Sequence, residues 1–358
     1  MRLAGIVLVT GQLVSAASLM YVGTYTQKGS QGIYVWRFDS RKGEATALGL
    51  AAETPSPSWL TLHPRLNVMY AANELSNYQG LSSGAVSAWA IDRGTGKLQR
   101  LSIVPSRGGG PCHLTLDHSG NFLYVANYGG GSVARFPVKL DGQIGDAAEF
   151  VQHAKETRAP HAHSVTFAPD GKTLLVADLG LDKIMMYHPD LTAASPAFAS
   201  VPEGSGPRHL AFTPSGKFFY VINELKSTVT GFRWDGRDAK EIGTVSSLPA
   251  GFVGEDSSAE IAVSPSGRFV YASNRGADTI ACFRIGRDGA LTAAGQTPSG
   301  GKNPRNFAFD PTGKWMLVAN QDSNNIVIYK VNRRSGELTA TGRTIQANMP
   351  VCVRFLAR

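Results

Sequence analysis

The sequence predicts an all-β fold: a seven-bladed β-propeller of four-stranded antiparallel blades, closed by a blade shared between the N- and C-termini. Three observations predict it. One segment recurs along the chain, each copy has the same order of strands and turns, and the two chain ends match different parts of that repeat.

The recurring segment is clearest at residues 206–225, GPRHLAFTPSGKFFYVINEL. Relatives of it begin at Pro57 (PSWLTLHPRLNVMYAANEL), Gly110 (GPCHLTLDHSGNFLYVANYGG), Pro160 (PHAHSVTFAPDGKTLLVADLG), Ser258 (SAEIAVSPSGRFVYASNRG) and Asn303 (NPRNFAFDPTGKWMLVANQDS). With Tyr220 as the marker, the copies fall at Tyr70, Tyr124, Leu175, Tyr220, Tyr271 and Leu317, in steps of 54, 51, 45, 51 and 46 residues. Steps of this size are those of propeller blades. Within a copy, an alternating strand (HLAFT) runs into a Pro/Gly turn (PSGK). A second apolar strand (FFYVIN) follows, then a polar loop and a third strand (TVTGFRW).

The chain ends supply a seventh unit in two pieces. MPVCVRF, from Met349, matches only the first strand, whereas LMYVGTYTQKGSQGIYVWRFD, from Leu19, matches only the second and third, with Tyr21 as its marker 49 residues before Tyr70. Pairing the last strand into the first blade closes the ring and covers exposed strand edges. Residues 20–358 are therefore expected to form one propeller domain, although the length alone suggests two.

Residues 1–19 differ in kind. Arg2, an apolar run from Leu3 to Val14 and the small residues Ser15, Ala16 and Ala17 form the pattern of a secretory signal peptide. The run is too short and interrupted to read as a transmembrane helix. Met20 stands directly before the first blade strand and offers a rival start of translation. The protein is periplasmic or secreted on the first reading and cytoplasmic on the second.

Composition suits a loop-rich β chain, with 42% hydrophobic residues, 40 Gly and 19 Pro. The formal charge of +8 is spread over loops without a long basic run, which argues against a nucleic-acid partner and suits an anionic small molecule. Once the leader is removed, nothing implies a membrane, and the oligomeric state is not encoded in any pattern found. Cys112, Cys282 and Cys352 have neither metal-site spacing nor an even pairing, and are expected as small core residues.

In an antiparallel blade, the start of the innermost strand and the end of the next lie on the same face of the disc. Aligned on the turn, the position of Arg208 holds Ser58, Cys112, His163, Ala259, Arg305 and Val351 in the other blades. The next position, that of His209, holds Trp59, His113, Ser164, Glu260, Asn306 and Cys352, and the position of Glu224 holds Tyr25, Glu74, Tyr128, Leu179, Arg275 and Gln321. His113, His163, Arg208, His209, Glu260, Arg305, Glu74, Glu224 and Arg275 should thus ring one mouth of the channel. Unlike ionisable groups at equivalent places are what one asymmetric site built by several blades requires. Solvation of a wet mouth, or ion pairing between blades, is the competing explanation.

The GTYT…GIYV opening and the segments PHAHSV, GPRH, VINEL, SNRG and NPRNF together resemble the seven-bladed β-propeller lactonase family, typified by propeller-type 6-phosphogluconolactonases and related to fungal carboxymuconate-lactonizing enzymes. The likeness covers nearly the whole chain from Met20. It implies hydrolysis of a sugar δ-lactone, with His163, Arg208, Glu224 and Arg275 falling on motif positions associated with catalysis in the lactonizing relatives. Arg305 lies in a family motif without an assigned role. An exported enzyme meets unphosphorylated lactones such as gluconolactone, whereas a cytoplasmic one meets the 6-phosphate.

The chemistry can also be argued from the residues. Water attacking an ester carbonyl needs a base and donors for the developing oxyanion. Glu224 or His163 can serve as the base, and Arg208 and Arg275 as fixed cations for oxyanion or substrate. His161, His209, Arg305, Glu74, His113 and Glu260 complete the candidate substrate-binding set. No G-x-S-x-G elbow suggests a serine nucleophile. Histidines 161, 163 and 209 are more simply hydrogen-bonded groups than ligands, so no metal and no cofactor are implied. Two other readings stay open: a muconate-type lactonizing or isomerising enzyme, and a non-enzymatic binding scaffold, which a mouth of paired ions without a pocket would favour.

Overall fold

The computed structural model describes residues 17–356. They form seven four-stranded antiparallel sheets arranged as blades around a channel. Six blades are built from consecutive strands: blade 1 (residues 57–105), blade 2 (111–152), blade 3 (162–200), blade 4 (207–246), blade 5 (258–298) and blade 6 (304–346). In blade 7 the strand order is Pro350–Leu356, Ala17–Thr24, Gly32–Asp39, Glu44–Glu53. The C-terminal strand pairs with the N-terminal one through contacts such as Val353 with Val22, so the expected split blade is present. Ala17 and Ser18 continue the register against Asp39 and Phe38, which starts this blade three residues before the boundary expected at Met20. The signal-peptide reading of the preceding segment lies outside the described residues.

The marker tyrosines explain why the repeat keeps them. Tyr21, Tyr70, Tyr124, Tyr220 and Tyr271 are buried in the blade interior. Their hydroxyls donate to the carbonyls of Gly96, Gly142, Pro189, Gly289 and Gly336 at 2.6–3.1 Å, each in a hairpin turn of the following blade. A buried phenol needs an acceptor, and meeting that need across the boundary ties blade to blade. Between these ties, apolar side chains of neighbouring sheets interleave, as with Tyr70 and Val86 of blade 1 against Leu114 and Leu123 of blade 2.

The innermost strands of adjacent blades touch one another around the channel. In each, the ladder slips just after its first pair, as between Pro207 and His209 opposite Asn223 and Ile222. Equivalent bulges occur in blade 1 at Ser58, blade 2 at Cys112, blade 3 at His163 and blade 6 at Arg305, with a wider one in blade 5 spanning Ala259 and Glu260. A bulge re-aims the side chain it carries. The fold therefore turns one residue per blade toward the same opening, and sequence decides which residue that is.

Candidate active site

Two backbone devices hold the charged groups in place. The residue after each second strand donates its N–H back to the carbonyl just before the first strand: Glu224 to Gly206 at 2.7 Å and Arg275 to Ser257 at 2.9 Å. Gly206 makes this turn at φ +65°, where a Cβ would lie 2.6 Å from Leu225 Cγ. Beyond Arg275, a Cβ on Gly276 would sit 2.1 Å from the Glu255 carbonyl oxygen, so only glycine lets the two loops meet.

Glu224 is the centre of the cluster. Arg208 Nε donates to its Oε2 at 2.9 Å, Arg275 Nη2 reaches its Oε1 at 2.9 Å, and His163 Nε2 lies 3.9 Å from Oε2. Burial works against the carboxylate, but the two guanidinium groups outweigh it and hold Glu224 below the ordinary carboxylate range. Arg208 is 2% exposed and donates Nη1 to the Ala259 carbonyl at 2.7 Å. Burial, and then the charge of Arg305, lower it to about 10, which leaves it a cation at neutral pH. Burial, and then Arg208, push His163 well below its usual value, so its imidazole is neutral. Its Nδ1 lies 3.7 Å from Cys112 Sγ, whose thiol burial keeps protonated.

A second group stands opposite. Arg305 Nη2 donates to Tyr25 Oη at 2.8 Å, and that phenol donates to Glu74 Oε2 at 3.0 Å. Beneath both lies an aromatic and acidic floor. His209 Nδ1 is 3.0 Å from Glu260 Oε1, and Asn306 donates to the other oxygen of Glu260. The His113 ring lies tilted against Trp59 with centroids 4.0 Å apart, and Trp59 meets His209 edge-on at 5.0 Å. Burial raises the Glu260 pKa, opposed chiefly by Arg354, and holds His113 and His209 well below their usual values.

The structure thus brings His163, Arg208, Glu224 and Arg275 into contact, pairs Arg305 with Glu74 through Tyr25, and sets His113, His209 and Glu260 in the layer below. His161 is apart from the charged cluster: it stacks on Tyr128 at 4.6 Å, and its Nδ1 is 3.0 Å from the Tyr128 carbonyl. Solvation of a wet mouth, the competing explanation, does not account for the inner groups, since His113, His163, Arg208, His209 and Glu260 are all buried. The ions are indeed paired, yet two arginines share one carboxylate and Glu224 and Arg275 remain 18% and 15% exposed, so the cluster is charged and accessible. Among the described residues, no group of three or more His, Cys, Asp and Glu side chains is arranged to hold a metal ion.

Two neighbours of the site were not among the sequence candidates. Tyr25 occupies the position of Glu224 in blade 7 and, being uncharged, gives no charge signal there. Arg354 lies in the C-terminal strand, its Cζ 4.1 Å over the Trp59 ring and its Nε donating to the Leu60 carbonyl at 3.0 Å. Its counterparts are Thr61, Thr115, Thr166, Ala211, Ala262 and Ala308. The signal that marked Arg208, an unlike residue at an equivalent place, was therefore present three places further along that strand.

The family described as "Lactonase, 7-bladed beta-propeller" matches residues 19–355. A 6-phosphogluconolactonase of Bacillus subtilis is 33% identical over 94% of this chain and 97% of its own. One of Formosa agariphila is 35% identical over 92% and 97%. The structure of a periplasmic gluconolactonase of Pseudomonas aeruginosa superposes with a TM-score of 0.89 at 34% identity, covering 95% of this chain and 99% of that one.

Proposed function

Because the chain belongs to the lactonase family of seven-bladed β-propellers, we propose that it hydrolyses a sugar δ-lactone at the mouth centred on Glu224, the class that contains the gluconolactone and 6-phosphogluconolactone of its named relatives. One observation carries this reading: a carboxylate clamped at 2.9 Å by two arginines, with a neutral imidazole 3.9 Å away.

In this mechanism His163 is the base. Both oxygens of Glu224 already accept guanidinium N–H groups and its pKa is lowered, which makes it a poor proton acceptor. A water touching both His163 Nε2 and Glu224 gives its proton to the imidazole as its oxygen bonds to the lactone carbonyl carbon. The carbonyl electron pair moves to oxygen. Arg208 commits Nε and Nη1 to Glu224 and Ala259, so Nη2 is the nitrogen it offers that oxyanion. Arg275 commits Nε and Nη2, and offers Nη1. The tetrahedral intermediate collapses by breaking the ring C–O bond, and the leaving alkoxide takes the proton back from the imidazolium, giving the open hydroxy acid. Glu224 holds the two cations in place and offsets the charge on His163 while it is protonated. A weakened base suffices because a δ-lactone is an activated ester that opens readily in water.

The test is a pH-stat assay of purified protein on glucono-1,5-lactone, its 6-phosphate and a carboxymuconate, with the spontaneous rate subtracted. Acceleration of a lactone is expected, and activity on the muconate alone would replace this reading with the lactonizing one. Export, read from Arg2, the apolar run and Ser15–Ala17, belongs to the same proposal. N-terminal sequencing of the protein from its native host decides it: a mature chain lacking roughly the first 17 residues supports export, and an intact cytoplasmic chain starting at Met20 opposes it.

A further inference from the structure

A sugar lactone and its phosphate ester differ by two negative charges, so the charges around the mouth bear on which of them the site accepts. At the cluster, Arg208 and Arg275 share Glu224, and with His163 neutral one net positive charge remains. Arg305 is balanced by Glu74 through Tyr25. The excess matches the single negative charge that develops when water adds to an uncharged lactone.

The cleft leading away from the mouth at Arg275 is acidic. Arg275 opens onto a cleft of about 630 Å³ lined by Glu255, Asp256, Asp278, Asp322 and Lys302. Lys302 is already paired with Asp278 at 2.8 Å. A smaller cleft of about 210 Å³, over blade 3, is lined by Glu156, Asp182, Glu203 and Arg158, and its charge is largely balanced, since Arg158 pairs with Asp182 and Lys183 with Glu156. In the cleft beside Arg275, carboxylates outnumber cations although the whole chain carries +8. Lys28, Arg107, Lys155 and Lys226, on other loops of this face, are exposed. They give a phosphate no fixed, desolvated fork of donors and are screened over about 8 Å at physiological ionic strength.

We infer that the site selects an uncharged aldonolactone over its phosphorylated form, because the mouth supplies one unbalanced positive charge and the acidic cleft beside it repels a second anionic group. This inference rests on the lactonase reading above. Arg354, the half-buried cation over Trp59, is committed to the Leu60 and Val353 carbonyls, and an arm that extends past Arg275 runs between carboxylates. Selection is thus by rejection of the charged competitor as much as by grip on the neutral one.

The experiment compares kcat/KM for glucono-1,5-lactone and for its 6-phosphate at two ionic strengths, on wild type and on Glu255→Lys. The neutral lactone is expected to lead by at least about 10-fold at low salt, the size of one repulsive contact between charges at a protein surface. That ratio should narrow as salt is raised and shrink at least about three-fold in Glu255→Lys, which turns a cleft carboxylate into a cation. An equal or higher kcat/KM for the 6-phosphate would overturn the inference while leaving the lactonase reading standing, as would a ratio that neither salt nor Glu255→Lys alters. Failure to open either lactone would overturn the lactonase reading and this inference with it.

Discussion

Glu224→Gln removes one charge at nearly constant shape and leaves Arg208 and Arg275 facing an amide. Each guanidinium contacts the carboxylate at 2.9 Å. With charge centres some 4 Å apart, each pair is worth about 4 kcal/mol at an effective dielectric near 20, before desolvation is counted. Arg208 is buried, so the loss is felt mainly there, whereas the partial exposure of Glu224 and Arg275 discounts the second pair. Removing one partner of a buried pair typically costs about 3–5 kcal/mol, which for a chain of this length lowers Tm by about 4–7 °C. Turnover should fall by about 10²–10³, as the two oxyanion donors lose the group that aims them. Added formate, a free carboxylate small enough for the vacated place, should restore part of both in Glu224→Ala. The assays are thermal denaturation by circular dichroism and pH-stat rates, with exposed Glu241→Gln as the control. A Glu224→Gln variant that melts within 1 °C of wild type at full turnover would refute the reasoning.

The remaining predictions concern closure, pH and the channel floor. Deleting residues 349–358 removes the strand that completes blade 7, including fully buried Cys352 and Val353. The bared Ala17–Thr24 edge should cause loss of cooperative unfolding or aggregation in light scattering, and a monomeric truncation that melts like the parent contradicts this. Histidines 113, 163 and 209 have depressed folded pKa values, so below pH 6.5 the unfolded chain binds protons that the folded one refuses. Stability is then complete above that pH and falls as pH drops, with a slope approaching about 4 kcal/mol per pH unit for three groups. Glu260, with its raised folded pKa, works in the opposite sense and moderates the fall at the acid end. Urea titrations from pH 7.5 to 5 measure this, and a flat profile is the contrary result. Arg354→Met takes away the cation over Trp59 and the chief opposition to burial at Glu260, and should cost about 1–3 kcal/mol in the same urea assay.

The fold was legible because a propeller writes itself once per blade. The marker tyrosine, the Pro/Gly turn and the incomplete copies at the two ends determine blade number and closure without any tertiary information. The site was legible in position, since unlike charges at equivalent places could be aligned, but not in depth. Nothing in the sequence says that the residue of Arg208 is bulged out of its ladder, or that Arg208 is buried while Arg275 stays partly exposed. These follow from how seven inner strands converge. Neutral Tyr25 carries no charge to mark it among the aligned positions, and Arg354 lies beyond them in the C-terminal strand. Asp178 shows the same limit: it stands where blades 1, 2, 4, 5 and 6 have asparagine, and pairs with buried His153 at 2.5 Å while accepting the N–H of His161 at 2.8 Å. Only the fold reveals that the substitution and its histidine partner belong together.

The most direct test of the account is the rate of glucono-1,5-lactone opening by His163→Asn beside wild type, followed at constant pH with the spontaneous reaction subtracted. Asparagine keeps a hydrogen-bonding group near Cys112 and removes the neutral imidazole. The account predicts that kcat falls by about 10²–10⁴, the contribution of a general base, while the melting temperature stays within a few degrees and KM changes little. Retention of more than half the wild-type kcat would contradict it and remove His163 from the proton transfer.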